Sequence, residues 1–209
     1  MKLYDHPLSG NGHKVRLFVS ILGLPLQSVF IDVPGGAQHT ANFGAINPLR
    51  QIPVLIDGDV TIHDSQAILV YLARRYGEAW FPHEAVDMAK VVQWLSFAAN
   101  EIGNSLQPAR MAVQLGEKVD IELAFAQKRG RRGLGILNSH LTNRDWLECG
   151  RATIADLACF PYVGLSREGG LILNDYPHIL TWIARIMNMP GYIPMPGLER
   201  SSNANNVSA

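Results

Sequence analysis

The sequence predicts an α/β N-terminal domain followed by an all-α helical bundle domain. Strand, turn and helix signals alternate as far as Gly77, and beyond Glu78 the apolar residues repeat at helical spacing. The composition changes at the same point, where AWFPHEA has the character of a linker. We therefore expect a first domain over residues 1–78, a second over residues 85–198 and an irregular tail over residues 199–209.

The chain opens with a β-α-β unit. KLYDH, residues 2–6, is a predicted strand that Pro7 ends. Residues 12–23 place apolar side chains three and four positions apart, which is typical of a helix with one buried face. A second strand is predicted over residues 28–33, and the β-α-β order predicts that the two strands pair in parallel. A loop or a short helix follows over residues 34–46.

The stretch from Asn47 to Gly77 is predicted to form a β-hairpin and then a helix. Pro53 marks the entrance of the first hairpin strand, and Asp57-Gly58 supplies the residue with positive φ that a tight turn needs. Asp64 and Ser65 are cap-type residues directly before AILVYLARRYG. The resulting order, β-α-β-(α or loop)-β-β-α, is the layout of a thioredoxin-like sheet.

Asp64 and Ser65 are candidate binding residues. A helix start combines free backbone N–H groups with the positive end of the helix dipole, so it can hold a ligand carboxylate. Asp64 can hold an ammonium group close by, and the pair therefore predicts a site for an amino-acid head group. The alternative is an ordinary helix cap, which is the better interpretation of the cap residues alone.

Ser9, Gly10 and Asn11 form a second candidate site. They follow the first strand and precede a helix, the usual position of a ligand crevice in an open α/β sheet. Hydroxyl and amide donors at a helix start stabilise an anion, and a thiolate is such an anion. Ser9 could instead be a plain N-cap or turn residue. It is not predicted to be a nucleophile, because no GxSxG elbow surrounds it.

Composition excludes several classes of function. Eighteen basic residues balance eighteen acidic ones, so no nucleic-acid or anionic-membrane partner is expected. No apolar run of about 18 residues suits a membrane span. The histidines are scattered without HExxH spacing, so no metal site is predicted. Cys149 and Cys159 lack CxxC spacing and fit free thiols in a reducing cytosol, and with no signal peptide expected we predict a cytoplasmic protein.

The C-terminal half is predicted to be helical throughout. A long helix is expected over residues 85–112 and another over residues 119–141. Thr153 and Asp156 have the spacing of a capping box before the apolar run LACFPYV, which places Cys159 in a core. A further helix begins at Tyr176-Pro177.

Three motifs together resemble the glutathione transferase family: LYDHPLSGNGHKVRL, NPLRQIPVL and IHDSQAILVYLARRYG. They occur in the family's order and at its spacing across the whole N-terminal domain. The serine-type loop is similar to that of bacterial theta- or nu-like members. The resemblance implies a cytosolic homodimer that uses glutathione as co-substrate, without a metal, and acts on a small hydrophobic electrophile.

The resemblance also implies roles for individual residues. Ser9 would donate a hydrogen bond to the glutathione sulfur, with Asn11 as a second donor. Asp64 and Ser65 would hold the γ-glutamyl ammonium and carboxylate, and a cis Ile52-Pro53 peptide would present the Ile52 backbone to glutathione. Further residues are implied around the ligand: Gln38 and Gln51 at the cysteinyl-glycine end, and Leu8, Gln107, Arg110 and Met111 in the electrophile pocket.

The expected activity follows from thiolate chemistry. A hydroxyl donor favours the charged sulfur and lowers the thiol pKa, and binding then orients the thiolate against an electrophile. We therefore expect a glutathione transferase. The site loop contains no cysteine, so a mechanism through a protein thiol is not expected. Two alternatives stay open: another glutathione-dependent enzyme, such as a disulfide reductase, an isomerase or a lyase, and a non-catalytic binding module with the same fold.

Overall fold

The structure, a computed structural model, describes residues 1–116 and 119–200. It contains a four-stranded sheet of order β2-β1-β3-β4, and the strands are β1 Lys2–Asp5, β2 Gln27–Phe30, β3 Val54–Asp57 and β4 Val60–His63. β1 and β2 pair in parallel, whereas β3 is antiparallel to both of its neighbours, β1 and β4. The predicted parallel pair and hairpin are confirmed, as is the fold of an α/β domain followed by helices.

Three helices belong to the sheet-containing half: α1 Gly10–Ile21, α2 Ala41–Ile46 and α3 Ser65–Tyr76. The second half contains α4 Ala85–Phe97, α5 Leu106–Val113, α6 Leu123–His140, α7 Ile154–Gly164 and α8 Pro177–Met187. Short 3₁₀ turns lie at Ala37–His39, Glu78–Trp80, Leu141–Asn143 and Ser166–Gly169. Within the described ranges, no helix is both long and apolar enough to cross a bilayer.

α7 lies at the centre of the core and packs against both α1 and α3 of the first half. Every residue of α7 from Ile154 to Val163 is buried, which is the behaviour of a helix that is apolar on all sides. Cys159 is fully buried there, as predicted. One apolar cluster therefore extends through both halves of the molecule.

The predicted capping box at the start of α7 is confirmed. Asp156 accepts from the Thr153 N–H at 2.9 Å, while the Thr153 hydroxyl accepts from Ala155 N at 3.2 Å. The second carboxylate oxygen of Asp156 accepts from Leu147 N and from the Trp182 indole at 3.0 and 2.9 Å. The box thus joins α7 to α8 and to the preceding loop as well as capping its own helix.

The prediction of one helix over residues 85–112 is wrong. α4 ends at Phe97, a π turn occupies Ala98–Ile102, and the chain leaves helical geometry at Ser105, where φ is −138°. Pro108 explains the break. Inside a continuous helix its ring would clash with the preceding turn, whereas in the first turn of α5 its missing N–H is not needed.

Several boundaries also differ from the predicted ones. β1 stops at Asp5, one residue before the predicted end, because Pro7 follows. β2 ends at Phe30, since the bond from Ile31 N to the Asp5 carbonyl, 2.8 Å, is the last that the short partner strand offers. α1 begins at Gly10 and not at residue 12.

One further difference lies in the C-terminal half. α6 begins at Leu123, four residues after the predicted start at Val119. At the start of the predicted tail, Arg200 Nε donates to the Met187 carbonyl at 2.8 Å. The remainder of that tail, residues 201–209, lies outside the described residues.

Candidate functional site

Ser9 is the N-cap of α1. Its hydroxyl oxygen accepts from the Gly12 N–H at 3.0 Å, which satisfies one of the free donors of the helix start. A hydroxyl has one donor and two acceptor positions, so this bond leaves the O–H free to donate. Ser9 can therefore cap the helix and also donate a hydrogen bond to an anion.

Asn11 lies in the first turn of α1 and connects two parts of the fold. Its Oδ1 accepts from Lys14 Nζ at 2.8 Å and lies 3.4 Å from Ser65 Oγ, whose one hydroxyl proton has a nearer acceptor in Gln66 Oε1. Ser65 is the first residue of α3, so this contact brings the start of α1 beside the start of α3. The two stretches that the sequence suggested as candidate sites thus meet in one place.

Asp64 is the N-cap of α3. One carboxylate oxygen accepts from the N–H groups of Gln66 and Ala67 at 2.9 and 3.0 Å. Its φ of 74° lies in a region that residues with a side chain rarely adopt, and such outliers cluster at ligand sites. Ser65 is 4% exposed, and none of the described residues accepts from its N–H. The helix start therefore presents both a carboxylate and an N–H donor.

The loop before β3 contains the cis Ile52–Pro53 peptide that the family resemblance implied. Asn47 organises this loop and is 1% exposed. Its Nδ2 donates to the Gln51 carbonyl at 2.8 Å, and its Oδ1 accepts from Leu49 N at 3.0 Å. Pro53 is buried and the Gln51 side chain is exposed.

Gln38 lies in the 3₁₀ turn before α2. Arg50 donates to the carbonyl of Thr40 at 3.1 Å and also to that of His39, so the turn is joined to the loop that carries Gln51. Among the described contacts, neither glutamine touches Ser9. Their expected position at the cysteinyl-glycine end stays a prediction.

Arg110 on α5 is 3% exposed and holds the loop before Ser9. Its Nη1 donates to the Leu8 carbonyl at 2.7 Å, while its Nε forms a salt bridge with Glu168. Gln107 and Met111 on the same helix are half-buried. The guanidinium is thus engaged by protein groups and joins α5 to the β1–α1 loop, while the expected electrophile pocket stays a prediction.

Lys14 and Tyr162 belong to the same neighbourhood and were not singled out from the sequence. Lys14 is 1% exposed, and its Nζ lies 5.6 Å from the centre of the Tyr162 ring. That ring covers Gly10, where a Cβ atom would lie 2.8 Å from Cζ. The one available signal was a lysine on the apolar face of a predicted helix, a position that charged residues rarely occupy without a partner.

Burial controls the charge of these groups. It raises the pKa of Tyr162 to about 12, against the opposite effects of Arg110 and of the N–H groups of Asn11 and Gly10. It lowers the pKa of Lys14 to about 8, although Cys159 and Asp64 act to raise it. The tyrosine is therefore neutral at pH 7, while the lysine is mostly charged.

The thiols offer little nucleophilic chemistry of their own. Burial raises the pKa of Cys149 and that of Cys159, and the thiolate is the reactive form. Both cysteines are free. Over residues 1–116 and 119–200, no group of three or more His, Cys, Asp or Glu side chains is arranged to hold a metal ion.

The sequence matches two family models. The glutathione S-transferase N-terminal domain matches residues 1–74, and the glutathione S-transferase C-terminal domain matches residues 93–190. The chain therefore belongs to the glutathione S-transferase family, as the three sequence motifs indicated.

Individual relatives agree with this assignment. The disulfide-bond oxidoreductase YfcG of Escherichia coli is 30% identical over 196 residues, which cover 90% of each chain. The crystal structure of a glutathione S-transferase from Pseudomonas fluorescens is 33% identical, with a TM-score of 0.87 over 93% of this chain and 98% of that one. A glutathione transferase from Phanerochaete chrysosporium, solved in complex with oxidized glutathione, is 29% identical, with a TM-score of 0.82 over 91% of each chain.

Proposed function

We propose that the protein is a glutathione transferase that activates the glutathione thiolate for attack on a small hydrophobic electrophile. Asp64 and Ser65 bind the γ-glutamyl ammonium and carboxylate. The Ile52 backbone beside Pro53 pairs with the peptide-like part of glutathione. Gln38 and Gln51 face its cysteinyl-glycine end.

The contact from Ser65 Oγ to Asn11 Oδ1, 3.4 Å, carries this proposal. It puts the start of α3, suited to an amino-acid head group, next to the start of α1, where Ser9 keeps a free hydroxyl donor. Glutathione has an amino-acid head group at its γ-glutamyl end and a thiol on the adjoining cysteinyl residue. We expect a ligand held at Ser65 to turn its sulfur toward Ser9 and Asn11.

The electrophile binds between the β1–α1 loop and α5. Leu8 is the residue before Ser9, and the bond from Arg110 to its carbonyl keeps α5 at this edge of the site. Gln107 and Met111 supply half-buried side chains to the same wall. We expect this wall to set which electrophiles react.

Glutathione-dependent disulfide reduction is the second candidate. It is favoured by the similarity to a disulfide-bond oxidoreductase at 30% identity. Bound glutathione thiolate would attack a disulfide, forming a mixed disulfide and releasing one thiolate. A second glutathione thiolate would then attack the glutathione sulfur of the mixed disulfide. Oxidised glutathione forms in this step, and the other thiol is released. This route needs no protein cysteine, in agreement with the two buried or half-buried thiols.

Two further properties are proposed on the same basis. The chain is a homodimer, supported by the exposed Val86 and Val92 on α4, which are 58% and 42% exposed. A theta- or nu-like, cytoplasmic member of the family is supported by the serine-type loop and by the two free cysteines.

The decisive experiment is retention on immobilised glutathione, followed by two assays of the same preparation. Conjugation is assayed with a generic aromatic electrophile and reduction with a small disulfide. Conjugation alone supports the transferase, and reduction alone supports the second candidate. No binding at millimolar glutathione would exclude both enzymes.

Variants separate binding from helix capping. Asp64→Asn keeps a good N-cap but loses the charge, so we expect roughly 10-fold weaker glutathione binding, about 1.4 kcal/mol. Ser65→Ala removes a hydroxyl and should weaken binding by a similar factor. Asp59→Asn in the exposed hairpin turn and Ser96→Ala on the exposed side of α4 are the matched controls and should leave affinity unchanged.

A further inference from the structure

Lys14 is a buried charge that forms no salt bridge with a carboxylate of the described residues. It is 1% exposed, yet it takes part in none of the salt bridges found among the described residues. Fully buried lysines are rare without a partner, because removing the ammonium from water is costly. Its one described hydrogen bond goes to Asn11 Oδ1 at 2.8 Å. The buried ammonium is therefore hydrogen-bonded directly to a residue of the proposed site.

The chemistry of the ammonium fixes the orientation of the Asn11 amide. An ammonium has only donors, so Asn11 must turn its oxygen toward Lys14. Ser65 Oγ lies 3.4 Å from the same Asn11 oxygen. The amide nitrogen, a double donor, is then turned away from both groups. An asparagine without this constraint can rotate and offer oxygen or nitrogen to a ligand.

We propose that Lys14 is a positioning residue that orients the Asn11 amide so that its N–H group donates to the glutathione sulfur. This inference rests on the proposed function. A positive charge behind the amide also polarises the N–H bond, so the effect of Lys14 reaches the sulfur through Asn11. Lys14 itself touches no substrate atom in this arrangement.

The test measures the pKa of the bound glutathione thiol from the ultraviolet absorbance of its thiolate. Lys14→Met keeps an unbranched side chain of similar length without donor or charge. We expect the thiol pKa to rise by roughly 1 unit. In an Asn11→Ala background the same substitution should have no further effect, because the group through which Lys14 acts is absent.

Ser9→Ala is the matched background for this cycle. Ser9 donates independently of Asn11, so there Lys14→Met should produce its full shift. An unchanged thiol pKa in Lys14→Met, or an equal shift with and without Asn11, would overturn the inference while leaving the proposed function intact. If the wild-type protein binds no glutathione, both fail together.

A second pair of variants keeps the test decisive if Lys14→Met does not fold. Lys14→Arg keeps charge and donors, whereas Lys14→Gln keeps a donor and loses the charge. We expect the arginine variant to lie nearer the wild-type thiol pKa than the glutamine variant. Equal values for the two would contradict a role of the charge.

The pH dependence of conjugation supplies a readout that a packing role would not change. The ionisable groups facing Lys14 are Cys159 and Tyr162 from α7 and Asp64 from the start of α3. Burial lowers the pKa of Lys14 to about 8, so the wild type loses this charge at alkaline pH. The rates of wild type and Lys14→Met should therefore converge above about pH 8. A constant ratio of the two rates from pH 6 to 9 would contradict the proposal.

Discussion

Arg110 donates from Nη1 to the carbonyl of Leu8 at 2.7 Å, across 102 residues of chain. The bond joins α5 to the loop that carries Ser9. The same guanidinium is paired with Glu168, which is 19% exposed. One buried side chain thus holds the position of the β1–α1 loop against the helical half.

Replacing Arg110 by Met should lower the free energy of unfolding by about 3 kcal/mol, because it leaves Glu168 and the Leu8 carbonyl without their donor. Chemical denaturation measures the loss. Arg132→Met is the matched control, since Arg132 is 70% exposed in its salt bridge with Glu101. Its effect should stay below about 0.5 kcal/mol. Equal effects of the two substitutions would show that the buried bond contributes little.

Ser9 should show two separable effects. Ser9→Ala removes the cap on Gly12 N, which costs about 1 kcal/mol of stability. It should also raise the pKa of the bound glutathione thiol by roughly 1 unit, because a donor to the thiolate is lost. Ser9→Thr keeps the hydroxyl and should preserve both properties. Thermal unfolding and the pH–rate profile measure them independently, and an unaltered profile in Ser9→Ala would assign the thiolate to Asn11 alone.

His13 should make the protein sensitive to acid. It is fully buried, and burial lowers its pKa from 6.5 to about 4. Neither ring nitrogen has a hydrogen-bond partner among the residues that the structure describes. Because the unfolded chain binds a proton more readily between pH 6.5 and 4, stability should fall as the pH falls through this window, by about 3 kcal/mol in total.

His13→Leu should remove this part of the pH dependence. The measurement is the difference in unfolding free energy between pH 7 and pH 4.5 for wild type and variant. His39→Gln, at an exposed position, serves as the control and should retain the wild-type difference. A wild-type slope in His13→Leu would mean that other groups cause the acid sensitivity.

Replacing one carboxylate oxygen of Asp156 by a hydrogen-bond donor should destabilise the fold. Asp156 is fully buried, and its two oxygens accept from the backbone and hydroxyl of Thr153, from Leu147 N and from Trp182. The amide group of an Asn would face either the Leu147 and Trp182 donors or the two Thr153 donors with its own N–H groups. We expect Asp156→Asn to cost about 3 kcal/mol in denaturant unfolding. Asp145→Asn, at a 74% exposed position, should cost little, and similar losses would argue against the network.

Local signals in the sequence predicted the parts of the fold that local chemistry determines. The hairpin turn at Gly58, the cap at Asp64 and the capping box at Thr153 all follow from residues within a few positions. Pro108 also indicates the break before α5, because a proline inside a helix disrupts it. The helical spacing of apolar residues continues past the break and favours one long helix instead.

The rest of the site depends on contacts between distant residues. The Lys14–Tyr162 and Arg110–Leu8 contacts join α1 and its loop to helices more than a hundred positions away. No pattern in a single sequence reports such a contact. Ser9 shows a related limit, since its position suggests either a helix cap or a hydrogen-bond donor to an anion, and one hydroxyl can serve as both.

The π turn at Ala98–Ile102 has a bearing on tolerance to deletion. Its bond from Gly103 N to the Ala98 carbonyl spans five residues, so the turn contains one residue more than an α-helical turn. Loss of a single residue here would convert it to ordinary helix and keep the rotational phase of the downstream chain. The same loss in the middle of α6 would rotate the remaining helix by about 100° and expose its buried face. Length variation in the helical half should therefore be accepted first at this turn.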